Sequence, residues 1–104
     1  MYITLTPMRS DKALILEKSE DILTINGEAF DFTALPDGAT LPREAVTCDF
    51  LAADVERING VLHLTLILPH GRDAPQETLF PVPITVASDG PVILPPYEVD
   101  NENE

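Results

Sequence analysis

Three small groups of residues carry side chains whose chemistry could support a reaction. Cys48 is the single thiol of the chain, and a cysteine thiolate is a nucleophile. Glu56 and His63 could form a carboxylate–imidazole pair, which can serve as a base or a pH switch. His70 and Asp73, on either side of a Gly-Arg pair, are residue types that bind metal ions. Each group also has an ordinary structural explanation.

The ordinary explanations fit these groups better than the chemical ones. A lone cysteine such as Cys48 is more often a small buried hydrophobe than a nucleophile. His70 and Asp73 are only two ligands in a loop, which is too few for a metal site, so a surface turn is expected. Glu56 and His63 would face each other across a hairpin as an ordinary ion pair. The chain also lacks the GxxxxGK[ST], GxGxxG, HExxH and CxxC motifs. We therefore predict a protein that is not an enzyme and has no catalytic residue, cofactor, metal site or small-molecule substrate.

The charge of the chain narrows the classes of partner. The sequence has 18 acidic and 6 basic residues, a formal net charge of −12, and no lysine or arginine after Arg72. Direct binding to nucleic acid is disfavoured, because phosphate contacts need cationic side chains. An acidic surface favours solubility, and it could also attract a basic protein or mimic a polyanion.

Two Asn-Gly pairs predict the hairpins that would position these side chains. Asn26-Gly27 and Asn59-Gly60 each supply two residues that tolerate positive φ, as a type I′ turn requires. A two-residue loop fixes the register of a hairpin, and alternate residues along each strand share a face. The apolar face of the first hairpin would contain Leu23, Ile25, Phe30 and Phe32.

The second hairpin is expected to have one aliphatic face and one mixed face. The predicted pairs on the aliphatic face are Arg57 with Leu62, Val55 with Leu64, Ala53 with Leu66, and Leu51 with Leu68. The predicted pairs on the mixed face are Ile58 with Val61, Glu56 with His63, Asp54 with Thr65, and Ala52 with Ile67. This mixed face could meet either solvent or a partner protein.

Short apolar blocks between turn residues predict the remaining strands. Pro81 and Pro83 interrupt one of these blocks, which favours the edge of a sheet for that strand. The blocks lie at 2–6, 12–18, 80–87 and 91–94.

These elements predict an all-β fold, either a small antiparallel β-sandwich or a partly open barrel made of consecutive hairpins. Residues 33–50 have no strong period, and we expect a loop there with room for one short helical turn within 40–46. We expect a single β domain over residues 1–96. Residues 97–104 carry four acids and no base, which predicts an acidic, disordered C-terminal tail.

The sequence shows no sign of membrane insertion or export. The densest apolar stretch, 61–68, ends at Pro69 and is far shorter than the roughly 20 residues of a membrane span. The first twelve residues lack the basic region and apolar block of a secretory signal. We therefore expect neither a signal peptide nor a transmembrane segment.

Four blocks of sequence resemble a known group of proteins. They are LTINGEAFDF at 23–32, LPDGATLP at 35–42, VERINGVLHLTLILPHG at 55–71 and DGPVILPP at 89–96. With these blocks the chain resembles small, acidic, uncharacterised proteins encoded in the tail-gene regions of tailed bacteriophages and prophages. The resemblance implies a role in tail structure, tail assembly or accessory functions encoded nearby, with other tail proteins or further copies of the chain as partners. It implies expression in the cytoplasm of a bacterial host, leaves the virion open as a destination, and supplies no site residues.

Two hypotheses about function follow. The first is a non-enzymatic tail protein that acts through protein-protein contacts, using the strand from Phe80, the loop at 33–50 or the mixed hairpin face. The second is an acidic inhibitor or DNA mimic directed at a host nucleic-acid enzyme or defence protein, which the charge of −12 motivates. Carboxylates arranged in rows on the surface would favour the second hypothesis.

Overall fold

A computed structural model describes residues 1–97 of the chain, so all but the first residue of the predicted acidic tail lies outside the described residues. The strands are β1 (Tyr2–Arg9), β2 (Leu16–Ser19), β3 (Ile22–Ile25), β4 (Glu28–Asp31), β5 (Thr40–Leu41), β6 (Val55–Ile58), β7 (Val61–His70), β8 (Ile84–Thr85) and β9 (Gly90–Pro91). A 3-10 turn covers Arg43–Ala45 and a short helix, α1, covers Gln76–Leu79.

The strands form two sheets around one core. A five-stranded mixed sheet has the order β5-β6-β7-β1-β8, and a four-stranded antiparallel sheet has the order β4-β3-β2-β9. Within residues 1–97 neither sheet closes into a barrel. The all-β prediction is confirmed, and so is the helical turn expected within 40–46. Twelve buried apolar side chains form the core: Ile3, Leu5, Leu16, Leu23, Ile25, Phe32, Leu51, Val55, Leu62, Leu64, Leu66 and Leu68.

Both Asn-Gly turns have the predicted geometry. Asn26 and Gly27 have φ values of 50° and 86°, and Asn59 and Gly60 have 51° and 80°. All four values are positive, as type I′ turns require. The predicted registers next to the turns are confirmed, because β3 pairs with β4 and β6 pairs with β7 at the expected residues.

The register of the second hairpin changes away from its turn. The predicted pairs of Ala53 with Leu66 and Leu51 with Leu68 are wrong, because Leu51 lies opposite Leu66 instead. The cause lies between Ala52 and Val55, where the chain leaves the ladder. There the Asp54 carboxylate accepts a hydrogen bond of 2.8 Å from the Arg43 N–H. A shift of two residues keeps the same side chains inward, and Leu51 is therefore still buried.

One long-range pairing differs from the antiparallel expectation. β1 runs parallel to β7, from Tyr2 opposite His63 to Arg9 opposite His70. β1 does not form a hairpin with β2, because the chain between them bonds to the first Asn-Gly turn. The Asn26 side chain accepts the Ile15 N–H at 2.7 Å and donates to the Ala13 carbonyl at 2.9 Å. These bonds direct β2 into the other sheet.

β1 leaves one side of its backbone open. β8 pairs with it only at Tyr2 and Ile3, so within the described residues no strand pairs with 4–9 on that side. Met1 and Val86 exchange two backbone hydrogen bonds, of 2.9 and 2.7 Å. The odd-numbered residues of β1 therefore direct their backbone groups to the open side, because the bonding direction alternates along a strand. Pro7 is one of them, and it has no N–H to offer to an added strand.

The last third of the chain has less regular structure than predicted. The strand expected over 80–87 is reduced to Ile84–Thr85, which does lie at a sheet edge, and the one over 91–94 is replaced by Gly90–Pro91. Prolines remove the N–H groups that a longer ladder would need. The helix α1 was not predicted, because four residues are too few for a helical period.

Arg57 lies between the two sheets and connects them. It is next to the second Asn-Gly turn, and its side chain is only 12% exposed. Its Nε atom donates to the Leu35 carbonyl at 2.5 Å. Its Nη2 atom donates to the Phe32 carbonyl at 3.0 Å and to the Asp21 carboxylate at 3.2 Å. One guanidinium therefore joins the second hairpin to the first hairpin and to the connection that follows it.

Asp89 makes a smaller connection within the four-stranded sheet. Its carboxylate accepts the Glu20 N–H at 2.9 Å and the Lys18 ammonium at 3.0 Å. These bonds lower the pKa of Asp89 below its ordinary value of 3.8, the Glu20 N–H most and Lys18 next. The ionised form is therefore favoured by folding.

We expect the variant Asp89→Asn to lower the melting temperature at neutral pH but not in strong acid. A carboxylate whose pKa is lowered by folding stabilises the fold above its unfolded pKa, and this stability is lost as the pH falls through the folded pKa. Thermal unfolding from neutral pH to about pH 2 measures the difference. Asp73→Asn is the control, because Asp73 is exposed and its side chain has no hydrogen bond within residues 1–97. A deficit in D89N that stays constant with pH would contradict the prediction.

Candidate functional site

The outer side of the five-stranded sheet is a broad surface that no other element of residues 1–97 buries. Alternate residues of a strand point to opposite sides of a sheet. The rows opposite the buried residues of β1 and β7 therefore face outward, and Thr4 lies beside Thr65 on this side. All the residues of this surface are half-buried or exposed. We call it the outer face, and its residues are Tyr2, Thr4, Thr6, Met8, Thr40, Glu56, Ile58, Val61, His63, Thr65, Ile67 and Thr85.

The outer face is depleted in charge compared with the rest of the chain. Among these twelve residues Glu56 is the one carboxylate and none is a lysine or arginine, although the full sequence contains 18 acids. Lys12 and Asp49 lie at the edge of the face, where they line a cavity with Met8 and Ile67. Five of its residues are threonines, and its exposed apolar side chains include Met8, Ile58 and Val61. The centres of protein-protein interfaces are likewise poor in charged residues and rich in aromatic residues and methionine.

Tyr2 and His63 form an aromatic pair at one end of the outer face. Their ring centroids are 5.1 Å apart, with the ring planes tilted by 42°. Glu56 pairs with His63 in the backbone register, as predicted. However, within the described residues no ion pair joins their side chains, so the expected cross-strand ion pair is wrong. The sequence could not show this, because Tyr2 reaches His63 through a parallel pairing that depends on distant residues.

The structure places Cys48 in a short connection that precedes β6. The thiol is half-buried and packs against the core. It lines a cavity of about 210 Å³ together with residues of the first hairpin, among them Ile25, Glu28 and Phe30. Among the described residues no lysine, arginine or histidine lines this cavity beside the thiol.

His70 and Asp73 lie at the end of β7, where that strand leaves the sheet. The His70 Nδ1 atom is 3.0 Å from the Gly71 carbonyl oxygen. Among residues 1–97 there is no group of three or more histidine, cysteine, aspartate and glutamate side chains with the geometry to hold a metal ion. His70 instead shares a cavity with Arg9 and Arg72.

Apolar side chains also project from the connection between α1 and β8. Phe80 is 74% exposed and Val82 is 73% exposed. This segment and the loop at 33–50 were predicted as contact surfaces, and with Leu79 the segment exposes three large apolar side chains, as many as the outer face does. The hairpin part of the outer face was predicted, whereas the part from β1 was not, because only the parallel pairing with β7 places it there.

Comparisons of the chain with protein-family models, with curated proteins and with solved structures found no match. None of the helices in the described residues has the length and apolar character needed to cross a membrane. By its fold and its surface the protein is a two-sheet β domain with one charge-depleted sheet face.

Proposed function

We propose that this protein is a non-enzymatic component or assembly factor of a bacteriophage or prophage tail, and that it binds protein through the outer face. The four sequence blocks support the phage context. The observation that carries the mode of action is the contrast between a chain of net charge −12 and a sheet face with one carboxylate. Burying that face against a partner would avoid the desolvation of many charged groups.

The first partner we propose is a second copy of the chain. Two copies with a charge of −12 repel each other over most of their surfaces. The outer face is where this repulsion is smallest, and its threonine, aliphatic and aromatic side chains can pack against their own equivalents. A contact between equal faces would give a two-fold symmetric dimer, the commonest form of homo-oligomer. Other tail proteins would then bind the remaining surfaces.

The variant Thr65→Glu is expected to dissociate this dimer. Thr65 lies at the centre of the outer face, opposite Thr4, and a carboxylate there would be buried beside its copy in the partner. The expected loss of affinity is about tenfold or more. Gel filtration with light scattering over a range of protein concentrations measures it.

Thr24→Glu is the matched control for this experiment. Thr24 is also a half-buried threonine on an inner strand, β3, but it lies on the other sheet. The variant T24E changes the net charge as much as T65E does but leaves the outer face intact, so the T24E dimer should persist. A wild-type protein that stays monomeric at the highest concentration would overturn the second-copy proposal, as would equal dissociation of both variants. Pull-down with tail proteins then asks whether one of them binds the outer face of a monomer.

The acidic inhibitor or DNA mimic remains a second candidate because most of the acids are not neutralised. Among the acids of residues 1–97, only Asp21 and Asp89 take part in ion pairs. The carboxylates of Glu17 and Asp31 are exposed on the outer side of the four-stranded sheet. For a mimic, E17Q and D31N should weaken binding to a basic target and reduce its salt dependence, whereas Thr65→Glu should not. For a protein that binds its partner through the outer face, Thr65→Glu should weaken binding, whereas E17Q and D31N should not.

A further inference from the structure

The cations of this acidic chain are not spread evenly over it. Of the six lysines and arginines, Lys18 and Arg57 form ion pairs with carboxylates. Arg9 and Arg72 instead line one cavity of about 370 Å³, together with His70. In the described part of the chain neither of these two arginine side chains has an ion-pair or hydrogen-bond partner. Two available guanidiniums and an imidazole therefore meet at one place.

The parallel pairing of β1 with β7 brings these groups together. Arg9 and His70 are the last pair of that ladder, just beyond the buried Leu68. Parallel strands end at the same edge of a sheet, so Arg9 and His70 lie together at the end of the hydrophobic core. Arg72 follows after the buried Gly71. Residues 61 positions apart in the chain are thus adjacent without any local sequence signal.

The walls of this cavity are held by backbone hydrogen bonds. The Ser10 N–H donates to the His70 carbonyl at 3.1 Å, and the Gly71 N–H donates to the Tyr97 carbonyl at 2.9 Å. The Tyr97 hydroxyl donates to the Ser10 carbonyl. Three separate segments of chain are therefore locked around the cavity. The backbone around the site is therefore preformed, whereas the exposed Arg9 and Arg72 side chains would be ordered by the ligand.

We propose that this cavity is an oxyanion site, which binds a carboxylate or phosphate group through Arg9, Arg72 and His70. The planar guanidinium donates two parallel hydrogen bonds to such groups, which makes arginine well suited to this role. The His70 Nδ1 atom is 3.0 Å from the Gly71 carbonyl oxygen and donates to it, so Nε2 can donate a hydrogen bond to an anion only in the imidazolium form. Asp11 also lines the cavity and limits its positive charge. The volume of about 370 Å³ is in the range of small-molecule sites.

Titration calorimetry with inorganic phosphate at low ionic strength tests the site. We expect saturable binding to the full chain, weakened at least tenfold by Arg9→Gln and by Arg72→Gln, because each removes a charged hydrogen-bond donor. Arg43→Gln is the matched control. Arg43 is also exposed and its loss changes the charge equally, but it lies on the 3-10 turn between β5 and β6. Circular dichroism is used to check that all three variants are folded.

A second arm identifies the source of the anion. A peptide with the sequence of residues 98–104 carries four carboxylates, and a matched peptide carries the corresponding amides. Displacement of phosphate by the acidic peptide alone would support acidic side chains as the source. Phosphate binding without displacement would support a free anion. The absence of saturable binding, or equal weakening by R43Q, would overturn the oxyanion site, whatever the oligomeric state of the protein.

Discussion

Replacing Arg57 with alanine is expected to destabilise the fold by about 3 kcal/mol, because it removes a largely buried guanidinium from four hydrogen-bond acceptors. The carbonyl oxygens of Leu35 and Phe32 would lose donors at 2.5 and 3.0 Å, and Asp21 would lose its cation at 3.2 Å. Asp21 is 39% exposed, so water would replace part of what it loses and the cost stays below that of a fully buried pair. Urea denaturation measures the free energy of unfolding.

Two further variants separate the contributions of charge and geometry at Arg57. Arg57→Lys keeps the charge but cannot reproduce the planar set of donors, so we expect it to lose most of the same stability. Asp21→Asn removes only the exposed partner and should cost much less than R57A. Arg43→Ala, at an exposed arginine, controls for the change in net charge. If R57A and R43A were equally stable, the role of Arg57 between the sheets would be disproved.

Replacing Leu66 with alanine is expected to cost about 3 to 4 kcal/mol, from lost burial and from the cavity left behind. Leu66 is fully buried, with 0% exposure, and lies on β7, between β6 and β1. It is also the residue opposite Leu51, beyond the stretch between Ala52 and Val55 where the chain leaves the ladder. The removed methyl groups therefore lie at the centre of the core. This loss is a large part of the total stability of a domain of this size.

The matched control for L66A is Val61→Ala, at the start of the same strand. Val61 is 40% exposed on the outer face, so its truncation should change the free energy of unfolding by less than about 1 kcal/mol. Leu66→Met keeps most of the volume and should be tolerated with a loss below about 1.5 kcal/mol. A loss in V61A as large as in L66A would mean that the outer face is packed and not open.

The elements that local chemistry determines could be predicted from the sequence. Asn-Gly turns determine their own register, because the two residues with positive φ leave little freedom in how the adjoining strands pair. The alternation of apolar residues then predicted which face of each hairpin is buried. The short turn at Arg43–Ala45 lies within the range 40–46 where one was expected, but its bounds could not be predicted, because residues 33–50 have no strong period.

The elements that depend on distant contacts could not be predicted. The break in the ladder before Val55 depends on the hydrogen bond that the Asp54 carboxylate accepts from the backbone N–H of Arg43, eleven residues away. The parallel pairing of β1 depends on where Asn26 directs the chain after it. Periodicity contains no information about either contact. Both candidate surfaces were affected, because the outer face and the oxyanion site are completed by residues of β1.

The pairing of the first strand with the seventh has a consequence for synthesis on the ribosome. The partner of each β1 residue lies on β7 and is synthesised 61 residues later. At the usual rate of synthesis this delay is roughly 3 to 12 seconds. During that time the first strand, with the apolar residues Ile3 and Leu5, lacks β7, its main partner in the sheet. The five-stranded sheet can therefore form around β1 only after β7 has been synthesised.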